Sequence, residues 1–162
     1  MTVTNVRKDT DRLTMTITAE FAAPIDRAWQ LWQDPRLLER WWGPPTYPAT
    51  FVDHDLTPGG TVSYYMTGPE GDQHRGWWRI LEVDAPRRIT LEDGFADASG
   101  KPVDGLPSMV MLVTFDETSD GGSSMSIETT FPSLEAMQQM SDMGMQEGMT
   151  QAMGQIDAIL AE

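Results

Sequence analysis

Side chains that commonly act as nucleophiles or metal ligands are scarce in this sequence. It contains no cysteine and two histidines, His54 and His74, so thiolate nucleophiles and cysteine metal sites are excluded. The histidines do not form the H-x-x-x-H spacing that holds zinc on a helix. His54 alternates with Asp53 and Asp55 along a predicted strand and points to the opposite face from both carboxylates. We therefore predict no catalytic residue, no metal site and no cofactor.

Carboxyl groups offer a second route to chemistry. Glu92 and Asp93 are adjacent on a predicted strand, so their side chains point to opposite faces and cannot work directly as an acid/base pair. A single carboxyl group in a cavity could still act as a base if burial raised its pKa. The glycines Gly59 and Gly60 lie between two predicted strands, where turn geometry explains them better than phosphate binding does.

Methionine and aromatic residues give the strongest functional signal. The chain has twelve methionines, six tryptophans, three tyrosines and five phenylalanines. Methionine is flexible and polarizable, and surfaces that bind varied apolar partners use it often. We expect an apolar ligand cavity with a few polar groups, and with His74 at its rim. The predicted lining residues are Trp42, Tyr64, Met66, His74, Trp78, Met109, Met111, Met137, Met140 and Met145.

The same residues allow two other interpretations. The aromatic and methionine side chains could fill a plain hydrophobic core and leave no cavity. Alternatively, Met140 and Met143, with or without Met137, could form an exposed apolar patch through which two copies of the chain make a homodimer.

The elements that must position these side chains are typical of an α+β protein. Residues 13–21 alternate apolar residues with threonines, as a half-buried strand does. Two short helices follow, the second beginning at Asp34 and Pro35, a favoured N-cap and first helical residue. Six further strands are separated by glycine and proline turns, and an apolar stripe predicts one long helix over residues 134–160.

This order predicts a helix-grip fold. A curved, seven-stranded antiparallel sheet would wrap around the long C-terminal helix, with the two short helices after strand 1. A chain of 162 residues fits one domain. We assign residues 1–12 to an N-terminal tail and residues 13–162 to a single helix-grip domain.

Charge and hydropathy restrict the partners. The net charge of −14 would repel nucleic acid phosphates and anionic lipid headgroups. No segment reaches the roughly 20 apolar residues of a membrane span, and the N-terminus lacks the apolar region of a signal peptide. We expect a cytoplasmic protein that binds neither nucleic acid nor membranes and whose partner is a small apolar ligand.

Several short motifs occur in an order that is characteristic of one family. They are Asp34-Pro35-x-x-Leu38-x-Arg40-Trp41-Trp42-Gly43-Pro44, then Asp55-Leu56-x-Pro58-Gly59-Gly60, then Gly148-Met149-x-Gln151-x-Met153 near the end. Together they resemble the family named after the activator of the heat-shock-protein-90 ATPase, in the START/Bet v 1-like (SRPBCC) superfamily. The resemblance implies the helix-grip fold and a cavity for an apolar ligand. The chain departs from the family at Met149, where tryptophan is usual.

We favour the hypothesis that the chain binds a small hydrophobic molecule between the sheet and the C-terminal helix, without enzymatic activity. One alternative is a cavity-based enzyme, similar to the cyclases and hydrolases of this superfamily. Another is a protein-interaction or chaperone-associated module. An enzyme would show a cavity carboxylate or histidine with a perturbed pKa, a carrier would show a cavity without one, and an interaction module would show no cavity.

Overall fold

A computed structural model describes residues 3–162 of the chain. It contains one antiparallel sheet of eight strands in the order β1-β2-β8-β7-β6-β5-β4-β3. The helices lie on one side of this sheet, which we call the inner face. The strands are β1 (Val3–Asp9), β2 (Thr14–Phe21), β3 (Ala49–His54), β4 (Thr61–Thr67), β5 (Gln73–Asp84), β6 (Arg88–Ala96), β7 (Met109–Glu117) and β8 (Ser123–Thr130).

The sheet has one strand more than the seven predicted. The additional strand, β1, lies within residues 1–12, which we expected to form a tail. It pairs antiparallel with β2, so that Val6 lies opposite Ile17. Because β1 is an edge strand with charged residues such as Arg7 and Lys8 exposed, its sequence lacks the apolar alternation that reveals the other strands.

The two short helices form as predicted and pack on the inner face. Helix α1 spans Ile25–Gln33 and α2 spans Pro35–Trp41. The side chain of Asp34 caps α2 by accepting a hydrogen bond from the backbone N–H of Arg36 at 2.9 Å. Because Pro35 occupies the first helical position, its missing N–H leaves no hydrogen bond unmade.

The C-terminal helical region is confirmed, but it is interrupted rather than continuous. It consists of α3 (Leu134–Asp142), α4 (Met145–Met153) and α5 (Ile156–Leu160). The first interruption falls at Gly144, whose φ of 82° lies in the left-handed region that ends right-handed helices. The single helix predicted over residues 134–160 is therefore wrong in its continuity. Among the described residues, no helix is long and apolar enough to cross a bilayer.

Tryptophan side chains dominate the core between the sheet and the helices. Trp32, Trp41 and Trp78 are fully buried. Trp32 and Trp78 lie 5.6 Å apart between ring centroids, and Trp42 lies 4.8 Å from Trp78 in an edge-to-face arrangement. This cluster packs α1 and α2 against β5 and so supports one end of the space described next.

Candidate functional site

An open cavity of about 330 Å³ lies between the inner face of β4–β7 and the methionine-rich part of α3 and α4. Its wall is apolar over most of its area, with a few polar groups from the strands. The lining residues are Trp42, Pro44, Tyr47, Tyr64, Met66, His74, Asp93, Phe95, Met109, Met111, Met140, Met143, Met145, Gly148 and Met149.

Eight of the ten predicted lining residues, all except Trp78 and Met137, border this cavity. The structure thus brings together side chains from the end of α2 and from β4, β5, β7, α3 and α4. His74 is exposed at the rim, where its Nε2 lies 2.9 Å from Oδ2 of Asp72.

Trp78 and Met137 lie outside the cavity wall. Trp78 is fully buried behind Tyr64 and Trp42, with its ring centroid 5.9 Å from that of Tyr64, so it supports the wall without lining it. Met137 borders a separate recess of about 20 Å³ beside Met15 and Phe131. Both residues follow the same periodicity as their neighbours. Periodicity predicts which face of an element a side chain occupies, but it does not predict how deeply the side chain is buried or whether it lies next to the cavity.

Sequence reasoning missed Asp93, which the structure places in the cavity wall. The missed lining residues are Pro44, Tyr47, Asp93, Phe95, Met143, Gly148 and Met149. The alternation of Leu91, Asp93 and Phe95 along β6 is the signal that could have placed this carboxyl group on the inner face.

The carboxyl group of Asp93 is buried, and the neutral donors beside it are the Tyr64 phenol and the Trp78 indole N–H. Tyr64 Oη donates to Asp93 Oδ1 at 3.2 Å. Burial raises the pKa of Asp93 to about 7, and the hydrogen bond from Tyr64 offsets part of that rise. The group is therefore distributed between its protonated and ionised forms at neutral pH.

Three other polar groups lie near this carboxyl group: the phenol of Tyr64 and the indole N–H groups of Trp42 and Trp78. Burial, reinforced by the Asp93 charge, raises the pKa of Tyr64 well above its ordinary value, so its phenol stays protonated. The indole N–H groups of Trp42 and Trp78 are buried, and neither reaches hydrogen-bond geometry with another described residue. The cavity therefore has one polar corner, where the phenol is a donor and the carboxyl group can act as donor or acceptor.

Two glycines shape the cavity in different ways. A Cβ atom on Gly76, which pairs with Tyr64 across the strands, would overlap the Tyr64 ring, so glycine allows that ring to lie against the backbone. A Cβ atom on Gly148 in α4 would meet no atom within 4 Å, leaving out the backbone of its own helix. The helix wall therefore has free space at Gly148.

Other ionisable groups do not assemble into a second site. Within residues 3–162, no three His, Asp or Glu side chains lie close enough to hold a metal ion. Nε2 of His54 lies 2.8 Å from the backbone oxygen of Trp32, which makes it a packed histidine outside the cavity. A groove of about 600 Å³ on the outer face is bordered by Arg79 and Glu92, which form an ion pair at 2.7 Å, and we do not assign it a ligand.

Comparison with known proteins agrees with the cavity and with the fold. The family model "Activator of Hsp90 ATPase homolog 1-like protein" matches residues 22–161. The chain belongs to this family. Proteins with the fold of this family typically bind ligands in a cavity. The comparison with curated proteins finds no match.

Solved structures of similar proteins cover nearly the whole chain. Protein Ms6760 from Mycobacterium smegmatis is 52% identical, with a TM-score of 0.91 over 98% of this chain and 96% of that one. A protein from Arthrobacter aurescens is 49% identical, with a TM-score of 0.94 over 99% of this chain and 92% of that one. A Staphylococcus epidermidis protein is 28% identical, with a TM-score of 0.84 over 98% and 94%. The antiparallel sheet with its C-terminal helical region is therefore the fold of this family.

Proposed function

We propose that this protein binds a small hydrophobic molecule in the cavity between the sheet and helices α3 and α4, without transforming it. One observation carries the proposal: the cavity is open, about 330 Å³ in volume, and lined mainly by methionine and aromatic side chains. Pockets for small ligands are usually largely preformed and apolar, with a few polar groups that orient the ligand. Asp93 and Tyr64 would supply that orientation here.

The methionines support a ligand site that adapts its shape. Six methionines line the helix side and the β7 side: Met109, Met111, Met140, Met143, Met145 and Met149. An unbranched thioether side chain changes rotamer readily and stays polarizable, so it can fit ligands of different outlines. We therefore expect the cavity to accept several apolar molecules of different shape, each small enough for a volume of about 330 Å³.

The location and assembly of the protein are part of this proposal. We place the binding in the cytoplasm because a chain without cysteine suits a reducing compartment. The exposed patch predicted around Met140 and Met143 is smaller than expected, because Met140 is buried and only Met143, at 59% exposure, is on the surface. A homodimer stays a prediction that the mass of the native protein would test.

Filling the cavity at Gly148 tests the proposal directly. Gly148→Leu places a branched side chain in the free space of the wall, so we expect the affinity for N-phenyl-1-naphthylamine, a neutral fluorescent probe, to fall by on the order of tenfold or more. The measurement is a fluorescence titration of the probe with purified protein. Glu147→Leu, which adds the same side chain at the exposed neighbouring position, serves as the matched control and should bind as the unmodified protein does. Equal affinities for the two variants, or no binding by the unmodified protein, would contradict the proposal.

A second candidate function is proton-transfer catalysis in the same cavity. The raised pKa of Asp93 favours it, because a cavity carboxyl group with a perturbed pKa is the feature that we expected of an enzyme. We put binding first because the described lining contains no second carboxyl group and no lysine to share in proton transfer. A carboxyl group with a pKa of about 7 can accept or donate a proton at neutral pH. The adjacent phenol of Tyr64 could donate a hydrogen bond to a carbonyl oxygen while Asp93 removes a proton from the neighbouring carbon.

Deuterium exchange separates catalysis from binding. If Asp93 is a base, the protein should accelerate exchange of the α-hydrogens of 1-indanone in D2O, followed by mass spectrometry, and Asp93→Asn should abolish the acceleration while the ketone still binds. Exchange at the rate of buffer alone, with the ketone bound, would support the non-enzymatic proposal instead.

A further inference from the structure

The charges around the cavity are unbalanced. Four titratable side chains line it, one from each of β4, β5 and β6 and one from the segment after α2: Tyr64, His74, Asp93 and Tyr47. The α3–α4 region contributes only methionines and a glycine to the lining. No lysine or arginine lines this cavity within the described residues. Asp93 is therefore the only buried group in the wall that carries a charge near neutral pH.

The nearest recess does not change this balance. An adjoining space of about 110 Å³ shares Tyr64, Met66, His74 and Asp93 with the cavity and is also bordered by Arg75. The guanidinium of Arg75, however, lies over the ring of Tyr65, 5.0 Å from its centroid. Arg75 and Tyr65 are paired on neighbouring strands, out of phase with the inward-facing Tyr64 and Gly76.

The surroundings of Asp93 suit a cation. Its carboxylate can accept about four hydrogen bonds, and Tyr64 supplies one. Trp42 and Tyr64 border the same cavity with ring centroids 6.1 Å apart and planes at 84°. Aromatic rings attract ammonium groups through the negative charge on their faces, most strongly where water is excluded.

We infer that the cavity selects an apolar ligand bearing one amino group, with the ammonium placed against the carboxylate of Asp93 beside Tyr64 and Trp42. This inference rests on the proposed function and specifies its ligand class. The hydrogen bond from an ammonium to the carboxylate joins two opposite charges, whereas the hydrogen bond from an alcohol involves only the charge of the carboxylate. A ligand carboxylate would meet Asp93 with no cation in the lining to offset the repulsion. The net charge of −14 adds a long-range attraction for cations.

Three probes with one phenyl group and nine carbons each test the inference: 3-phenylpropylamine, 3-phenylpropan-1-ol and 3-phenylpropanoate. Their dissociation constants are measured at pH 8 by NMR titration of the native protein. We expect the amine to bind on the order of tenfold more tightly than the alcohol, and the carboxylate to bind most weakly. In Asp93→Asn, which keeps the size of the side chain, the advantage of the amine over the alcohol should disappear.

A pH series on the unmodified protein gives a second test that does not depend on the folding of Asp93→Asn. Affinity for the amine should rise as the pH increases from 5.5 to 8, as Asp93 ionises, whereas affinity for the alcohol should not rise. The imidazole of His74 also lines the cavity at its rim, so the series is repeated in His74→Gln, which should retain the rise. An alkylammonium stays protonated throughout, since its pKa lies near 10.

The outcomes separate the ligand class from the function itself. If the alcohol or the carboxylate binds at least as tightly as the amine at pH 8, or if Asp93→Asn keeps the amine preference, the inference is overturned and the proposed function stands. A rise in amine affinity that vanishes in His74→Gln also overturns it. If none of the three probes binds up to its solubility limit, both the inference and the proposed function fail.

Discussion

Burying Asp93 costs the fold free energy at neutral pH. The ordinary pKa of an aspartate is 3.8, and in the folded protein that of Asp93 is about 7. Between these values the folded state holds a proton that the unfolded chain has released. The contribution of this group to stability therefore falls as the pH rises from about 4 to about 7. A hydrophobic residue at this position would avoid the cost. A buried acid that lowers stability is expected where the acid interacts with a ligand.

Asp93→Asn should remove this pH dependence. We expect the variant to be more stable than the unmodified protein at pH 8 by about 2 to 4 kcal/mol, with the difference shrinking toward pH 5, because each pKa unit is worth about 1.4 kcal/mol. Urea unfolding followed by tryptophan fluorescence at several pH values measures it. Glu82→Gln, at an exposed position on β5, is the control and should show no such trend. A stability difference for Asp93→Asn that is the same at every pH would contradict the account.

Within the C-terminal helical region, two glycines four residues apart have different roles. Gly144 occupies the left-handed conformation between α3 and α4, whereas Gly148 lies inside α4 with open space where a Cβ would be. The first glycine is required by the backbone. The second weakens the helix by about 1 kcal/mol relative to alanine and leaves room in the cavity. The helix that covers the ligand site is thus less stable than the same helix with alanine at this position.

Alanine at these two positions should change stability in opposite directions. Gly144→Ala should lower the free energy of unfolding by about 1 to 2 kcal/mol, because alanine resists a positive φ. Gly148→Ala should raise it by up to about 1 kcal/mol through its better helix propensity. Thermal or urea unfolding of the two variants measured together checks both signs. Destabilisation by both substitutions would show that α4 does not continue through Gly148 as described.

Across the whole molecule, hydrogen bonds join the α5 end of the C-terminal region to the rest of the fold, whereas at the cavity end the described side-chain bond to the sheet is that of Lys8 Nζ to Ser141 Oγ at 3.4 Å. Nε2 of Gln155 donates to the backbone oxygen of Gly43 at 2.7 Å, and Arg27 donates to the backbone oxygen of Leu160 at 2.9 Å. At the cavity end, the α3–α4 region contributes only methionines and Gly148 to the wall. Segments with fewer specific bonds open at lower free energy, so ligand entry is expected beside α4 and not beside α5.

The features that the sequence predicts are those that depend on contacts between residues close together in the chain. Local alternation and capping were enough for β2 and for α2 with Asp34, and the methionine and aromatic pattern indicated eight of the fifteen residues that line the cavity. The edge strand β1 was missed because its outer positions are charged. The hydrogen bond between Tyr64 and Asp93 joins two residues that are 29 positions apart in the sequence. The pKa of Asp93 depends on its burial in the folded protein. Neither feature can be predicted from a local sequence pattern.

The open space at Gly148 also offers a place to attach a reporter. Since the chain contains no cysteine, Gly148→Cys would introduce a single thiol, and it would lie on the cavity wall where a Cβ meets no neighbour. A small environment-sensitive fluorophore coupled there would itself occupy the cavity, as the leucine does, and an incoming molecule would displace it into water and change its emission. The same glycine that makes the wall incomplete therefore makes occupancy of the cavity observable in real time, whatever the chemical identity of the occupant.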